Sequence, residues 1–392
     1  MLSEINKKFI KLAKNNQLDE LKNLLSQGAD IHADDDMALR FSAYNGHLEV
    51  VKFLVAQMAN IHADDDALGW AAGNGHLEIV KFLLSHGADI HADDDGALRL
   101  SAENGHLETV KFLIAHGANI HANDDEVLRE AAYNGHPKIV ELLVAKGANV
   151  HSNDNESLKW SAHNGHLETV KFLVLPDLGS VAIANDANIH ANNDEALRWA
   201  ATDGHLEIVK FLVANGANIH ANDGEALRLS AENGRFEVVK FLVLPDLGSV
   251  AIAQGANIHA NDDEALIFSA QNGHTETVKF LVTQGANVQA SNDYALKWSA
   301  ANGYLDTAKY LLIHGANIHA NDDEIFKTAI KNKNEPILML LNAFLTEEKL
   351  LVAAVGSMPL VAASDSIKEL SSVESAPKTK RPSITKAKRS KI

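Results

Sequence analysis

One tripeptide punctuates this chain and dictates its fold class. Asn-Gly-His or a near variant begins at Asn45, Asn74, Asn104, Asn134, Asn164, Asp203, Asn233, Asn272 and Asn302, mostly 30 residues apart. The first step is 29 residues, two are 39, and degenerate copies flank the series at Asn15 and Asn332. Self-similarity with a period of about 20–50 residues marks a stacked repeat architecture. About eleven units are therefore expected between Ile5 and Leu345.

Each unit has the same grammar. In residues 35–63 a short segment, MALRFSAYN, places Ala38, Leu39, Ser42 and Ala43 at helical spacing. Gly46 ends that first helix, because glycine accepts a left-handed backbone without penalty. A second helix, LEVVKFLVA, carries Leu48, Val51, Leu54 and Val55 on one face, widened by Val50 and Phe53. Glu49 in its first turn suits the helix dipole. A further glycine, such as Gly28, Gly87 or Gly117, closes the second helix, and Ala-Asn-Ile-His-Ala leads to the next unit.

One unit buries too little to offset the entropy of ordering it, so stability must come from stacking on its neighbours. The expected organisation is an all-α solenoid of helix–turn–helix units with short connecting fingers. Residues 1–35 form an N-terminal capping repeat and 36–324 the array. Residues 325–350 form a C-terminal cap, and 351–392 a flexible tail that is basic from 375. Two identical stretches, Leu175–Ala184 and Leu244–Ala253, add nine residues at 175–183 and 244–252. Pro176 and Pro245 should stop the second helix there, leaving two matching protrusions beside the finger edge.

Charge divides the chain unevenly. The net charge is -17, from 35 Lys and Arg against 52 Asp and Glu. Seven of those cations and no acid lie from Ser375 onward, so the body carries 28 against 52, or -24. Hydrophobic residues make up 46%, enough for a folded protein. No cysteine is present, which excludes disulfides and thiolate metal sites. The N-terminal stretch lacks the apolar core of a secretory signal. The longest apolar run, Leu350–Ala363, is shorter than the roughly 20 residues of a bilayer span. These features predict a soluble intracellular monomer, cytoplasmic or nuclear.

Several columns repeat down the array. Trp70, Trp160, Trp199 and Trp298 share one place with Phe41, Leu100, Leu229 and Phe268, which fits packing between units or an aromatic ladder for a partner. Arg40, Arg99, Arg129, Lys159, Arg198, Arg228, Lys297 and Lys327 precede it and are expected to pair with nearby carboxylates. The connectors supply those acids, as in Asp34–Asp36, Asp93–Asp95 and Asn123–Glu126. Helix N-capping is the expected reason for them. Their middle members, Asp35, Asp65, Asp94, Asp124, Asp262 and Asp322, should also line one negative edge that favours a basic partner. Sixteen of the twenty histidines fall in two columns, represented by His47 and His32. One imidazole per unit is too widely spaced to share a metal ion, so no metal or cofactor is expected.

The segments NGHLEVVKFLVAQ and NGHLEIVKFLLSHGADIHA resemble the ankyrin repeat, and the likeness recurs across most of the chain. The 30-residue form with ALRWA and GANIHA is similar in style to the long ankyrin arrays of giant DNA viruses. It departs from the family in its shorter period and in lacking Thr-Pro-Leu-His, which implies shorter fingers. The resemblance implies a protein-binding scaffold. Its contacts would come from finger tips and from the outer end of helix one, here Tyr44, Glu103, Tyr133, His163, Thr202, Glu232 and Gln271. That column changes chemistry from unit to unit.

No phosphate loop, nucleophile elbow or zinc-protease helix is present, so the chain reads as a non-enzyme. The alternative is a nuclear or nucleic-acid-associated factor. It would work through the tail alone, using Lys378, Lys380, Arg381, Lys386, Lys388, Arg389 and Lys391 as an import signal or an electrostatic tether.

Overall fold

The computed structural model describes residues 2–63, 66–175, 187–244 and 255–356. Among them are 22 helices and no strand, arranged as eleven antiparallel pairs. The first helices are α1 (Glu4–Lys14), α3 (Ala33–Tyr44), α5 (Asp66–Gly73), α7 (Ala92–Glu103), α9 (Ala122–Tyr133), α11 (Ser152–His163), α13 (Ala191–Asp203), α15 (Ala221–Glu232), α17 (Glu264–Gln271), α19 (Ala290–Ala301) and α21 (Ala320–Lys331). The second helices are α2 (Leu18–Ser26), α4 (Leu48–Ala56), α6 (Leu77–Ser85), α8 (Leu107–Ala115), α10 (Pro137–Ala145), α12 (Leu167–Val174), α14 (Leu206–Ala214), α16 (Phe236–Val243), α18 (Thr275–Thr283), α20 (Leu305–Ile313) and α22 (Glu335–Gly356). The last is 22 residues long and runs past residue 350, where the tail was expected to begin.

Among the described residues each pair packs chiefly against the pairs before and after it, as in a solenoid. A column of alanines, Ala43, Ala72, Ala102, Ala132, Ala162, Ala201, Ala231, Ala270 and Ala300, is fully buried between successive first helices. Small side chains let those helices approach closely, and they pack more extensively than successive second helices do. The stack therefore curves with its first helices on the inner, concave side. Leucines such as Leu39, Leu98 and Leu128, together with Leu54, Leu83 and Leu113 from the second helices, fill the space between layers. At the end of the stack the alanine place is taken by Ile330, which no further unit covers.

Histidine joins the units on the loop side. His76 Nε2 donates to the carbonyl of Tyr44 in the preceding unit at 3.0 Å, and His136 does the same to Glu103 at 2.9 Å. Where arginine stands in this column, Arg235 Nε reaches the Thr202 carbonyl at 3.0 Å. These bonds satisfy carbonyls that a helix C-terminus leaves without an intrahelical partner. They also explain Gly46. Its φ is +79°, and a Cβ there would lie 2.6 Å from the His76 ring. The glycine is needed twice over, for conformation and for space.

Both inserts leave the stacking intact. Helices α12 and α16 stop at Val174 and Val243, and the chain rejoins the repeat where the Ala187 amide donates to Leu173 and the Ala256 amide to Leu242. An uninterrupted unit makes the same bond from Ala88 to Leu83. The expected protrusions themselves, and Pro176 and Pro245, lie outside the described residues.

Replacing Gly46 with alanine should cost about 1–2 kcal/mol from the left-handed backbone and the ring clash. Adding His76→Ala to Gly46→Ala should cost less than the sum of the two single changes. Urea denaturation of the four proteins measures that coupling, and strict additivity would show that ring and glycine do not meet.

Candidate partner-binding surface

The fingers are built from backbone that most residues avoid. Asp34, Asp35 and Asp36 have φ of 58°, 52° and 54°, and the same left-handed triplet recurs at Asp93–Asp95, Asn123–Asp125 and Asn192–Asp194. A left-handed conformation costs an ordinary L-residue about 1–2 kcal/mol, and Asp and Asn tolerate it best. This is why the connectors are almost entirely Asp and Asn.

Helix capping is not the reason, contrary to expectation. Asp263, which stands at the cap position of α17, makes no side-chain bond to that helix. In the described triplets before the last, the third member turns inward instead, whereas Asp323 at the end of the stack stays exposed. Asp36, Asp95, Asp125, Asp194, Asp263 and Asp293 are 3–6% exposed. Asp36 Oδ1 accepts from the Asn60 amide of the next finger at 2.8 Å, and Asp95 from Asn119 at 2.7 Å. The histidine four residues earlier completes the site: His32 Nδ1 lies 3.1 Å from Asp36, and His121 Nδ1 2.9 Å from Asp125. Asn155 performs the same task without a charge, accepting from Asn188 at 2.7 Å. At Asp293 the histidine is replaced by Gln289. Burial pushes that carboxyl above its usual range, and the bond from Asn317 only partly offsets it.

The negative edge is consequently thinner than the sequence suggests. Six triplets bury one acid in the lock, while Asp35, Asp94, Asp124, Asp262 and Asp322 stay exposed at the tips. Asp262 is engaged locally, accepting from the Ser291 amide and hydroxyl at 2.7 and 2.6 Å. Asp65 lies outside the described residues.

On the concave face the cationic column pairs with the opening glutamate of the following first helix. Arg129 reaches Glu156 at 3.2 Å, Arg198 reaches Glu225 at 2.6 Å and Lys297 reaches Glu324 at 2.9 Å. Burial would raise the Glu225 carboxyl, but bonds from Asn222 and Arg198 and the charge of Arg228 hold it below its usual range. Beside them the tryptophan column is half-buried, serving packing and surface together. Cations rest on its rings: Arg40 lies 5.0 Å from the Trp70 centroid and Lys159 4.7 Å from that of Trp160.

The structure brings several predicted residues into this aromatic strip. Tyr44 meets the edge of Trp70 at 5.8 Å. Tyr133, Trp160, His163 and Trp199 form an unbroken run, with centroids 5.8, 5.6 and 4.9 Å apart. Tyr44 and Tyr133 are 48% and 45% exposed, the most open aromatic side chains on this face. Glu103, Thr202, Glu232 and Gln271 are half-buried further along, and the Glu232 carboxylate lies 3.3 Å from Arg228. His163 is drawn aside: its Nδ1 is 2.7 Å from Asp203, the aspartate that replaces asparagine in that one repeat. The tail cations from Lys378 to Lys391 lie outside the described residues.

Sequence reasoning missed Glu130. It occupies the tryptophan column, directly after Arg129, and burial together with the Glu103 and Glu126 charges raises its carboxyl above the usual range, against the pull of Arg99 and Arg129. Aligning the columns unit by unit would have exposed the break.

The sequence model of the family described as Ankyrin repeats (3 copies) matches residues 9–94, 91–154, 158–251 and 244–322. The chain belongs to the ankyrin-repeat family. No curated protein matches the chain. Ankyrin repeats are generally protein-interaction modules, and the geometry here suits that: the ankyrin array offers a long open face. No group of histidine and carboxylate side chains among the described residues is arranged to hold a metal ion. No helix among them is long and apolar enough to cross a membrane.

A folded-state carboxyl value above the unfolded one means that the ionised Asp293 costs stability at neutral pH, and the cost fades as pH falls through the carboxylate range. Asp293→Asn should therefore gain about 0.5–1 kcal/mol at pH 7 and nothing below about pH 4. Asp125→Ala should instead lose about 1–3 kcal/mol, because the Asn149 amide of the next finger loses its acceptor. Urea melts at both pH values check the pair.

Proposed function

We propose that this ankyrin array is a non-enzymatic scaffold that holds a protein partner on its concave surface. The contacts come from the outer end of helix one and the finger tips. The observation that carries the reading is the run Tyr133–Trp160–His163–Trp199, which presents aromatic side chains of three successive units on one open face. Aromatic residues dominate binding energy wherever proteins meet, since they offer large area at little entropic cost. Tyr44 with Trp70 forms a second such station nearer the N-terminus. The exposed tips at Asp35, Asp94 and Asp124 add a negative rim, which favours a basic partner. Likeness in style to the arrays of giant DNA viruses extends the reading to a viral or pathogen product acting on host proteins. It rests on the repeat length and wording alone.

A second reading rests on the tail, whose last 18 residues hold seven Lys or Arg and no acid. Such a segment can be read by an import receptor or can tether the protein to nucleic acid. Affinity capture with the full chain separates the two. Tyr133→Ala with Trp160→Ala should weaken retention of a captured partner at least about tenfold. Neutralising Lys378, Lys380, Arg381, Lys386, Lys388, Arg389 and Lys391 should leave retention unchanged. The opposite pattern would transfer the function to the tail.

A further inference from the structure

From Phe41 to Trp298 the aromatic column holds Phe, Trp or Leu in every unit except that of α9, where Glu130 stands. The surrounding cations are already committed. Arg99 lies between Asp93, Glu103 and Glu126 at 3.6, 3.9 and 3.7 Å. Arg129 turns to Glu156 at 3.2 Å and to the Asp124 carbonyl, and Lys159 shares Glu156 at 3.6 Å. No cation among the described residues comes within 4 Å of the Glu130 carboxylate. Five carboxylates, Asp93, Glu103, Glu126, Glu130 and Glu156, thus face three cations, and Glu130 is the one that none of the three pairs with.

Its neighbours complete the chemistry. Tyr133 follows Glu130 by one helical turn, is 45% exposed, and points its ring toward Trp160 at 5.8 Å. On this face the protein seats its own cations on such rings, at 5.0 Å on Trp70, 5.7 Å on Trp298 and, for Lys159, 4.7 Å on Trp160. We propose that the break in the column receives a lysine or arginine side chain from an extended basic segment of a partner protein. Its alkyl stem lies on the exposed Tyr133 ring, which Trp160 props from below, and its charge meets Glu130 and Glu103. An incoming cation relieves the mutual repulsion of Glu130, Glu103 and Glu126, the same repulsion that, after burial, raises the Glu130 carboxyl in the free protein.

The chain's own tail is the other source of such side chains. Six repeats separate α9 from α21, or about 50–60 Å at the usual helix spacing. Lys378 is 22 residues beyond Gly356, about 75 Å when fully stretched. The farther cations extend to Lys391, 35 residues beyond Gly356, so length alone does not exclude the tail, and a tail-neutralised chain decides between the two.

This site rests on the scaffold reading but can fail without it. The test titrates the full chain into a labelled, unstructured peptide of alternating lysine and glycine at about physiological salt, followed by fluorescence anisotropy. Glu130→Gln should weaken binding about 5–20-fold. Trp160→Leu, which installs the residue found at 100 and 229, should weaken it about 3–10-fold. Glu168→Gln with Glu207→Gln, exposed on the second helices away from this face, should change it less than about twofold. Thermal melts should show Glu130→Gln folded as the parent is. Absence of binding, equal affinity for Glu130→Gln, or a larger loss for the second-helix variant would overturn the proposal. Tighter binding by the tail-neutralised chain would place the tail in the site and overturn the assignment to a partner. Should Glu130→Gln have no effect while Tyr133→Ala still abolishes partner capture, the scaffold reading survives and this site does not.

Discussion

The array depends on one hydrogen bond repeated from finger to finger, in which a buried carboxylate accepts the backbone amide of the next unit. Asp36 to Asn60, Asp95 to Asn119, Asp125 to Asn149, Asp194 to Asn218, Asp263 to Asn287 and Asp293 to Asn317 are the same bond in six places. Burying a carboxylate is costly unless it is paired and fully bonded. At five of the six the histidine four residues back and the neighbouring amide both bond it, and at Asp293 the Asn317 amide does so without a histidine. The left-handed triplet is what turns that carboxylate inward, so finger conformation, finger composition and inter-unit bonding are one feature. Hydrophobic stacking supplies the bulk of the stability, and the finger bond sets the register in which the stack forms.

That arrangement fixes what is left for function. The layer between helices is repetitive and filled with apolar side chains, and the outer side of the second helices repeats one exposed Glu–Lys pair. Loop-side histidines are tied to carbonyls of the unit before. Freedom to differ is confined to the outer end of the first helix and the finger tips, which is where Tyr44, Glu103, Tyr133, His163 and Thr202 succeed one another. The cationic column beside them is largely neutralised by glutamates of the next unit. Binding character on this face is therefore set by the aromatic strip and its one carboxylate break, more than by net charge.

Much of this was legible beforehand, for identifiable reasons. The repeat period, the two helices per unit and the stacking follow from Asn-Gly-His spacing and apolar periodicity, and each is a local pattern. The purpose of the Asp and Asn connectors was not legible. N-capping and a left-handed turn favour the same residue types, so composition could not separate them, and only the backbone angles do. The difference between Asp35 at the surface and Asp36 inside likewise arises from a turn that reverses direction within one residue. His163 read as one more member of a variable column, because its partner Asp203 is 40 residues away in sequence. Glu130 was visible in principle, since it breaks a column that the other units keep, but its surplus charge appears only once Arg99 and Arg129 are seen to be engaged elsewhere.

Amide hydrogen exchange of the finger asparagines tests the central bond most directly, because it reads the donor itself. Asn60, Asn119, Asn149, Asn218, Asn287 and Asn317 should be protected nearly as well as core helical amides such as that of Leu113. Asn257 is the internal control: Gly224 stands where the carboxylate would be, so its amide should exchange rapidly. Fast exchange at all seven positions, or equal protection of Asn257, would contradict the finger-to-finger lock.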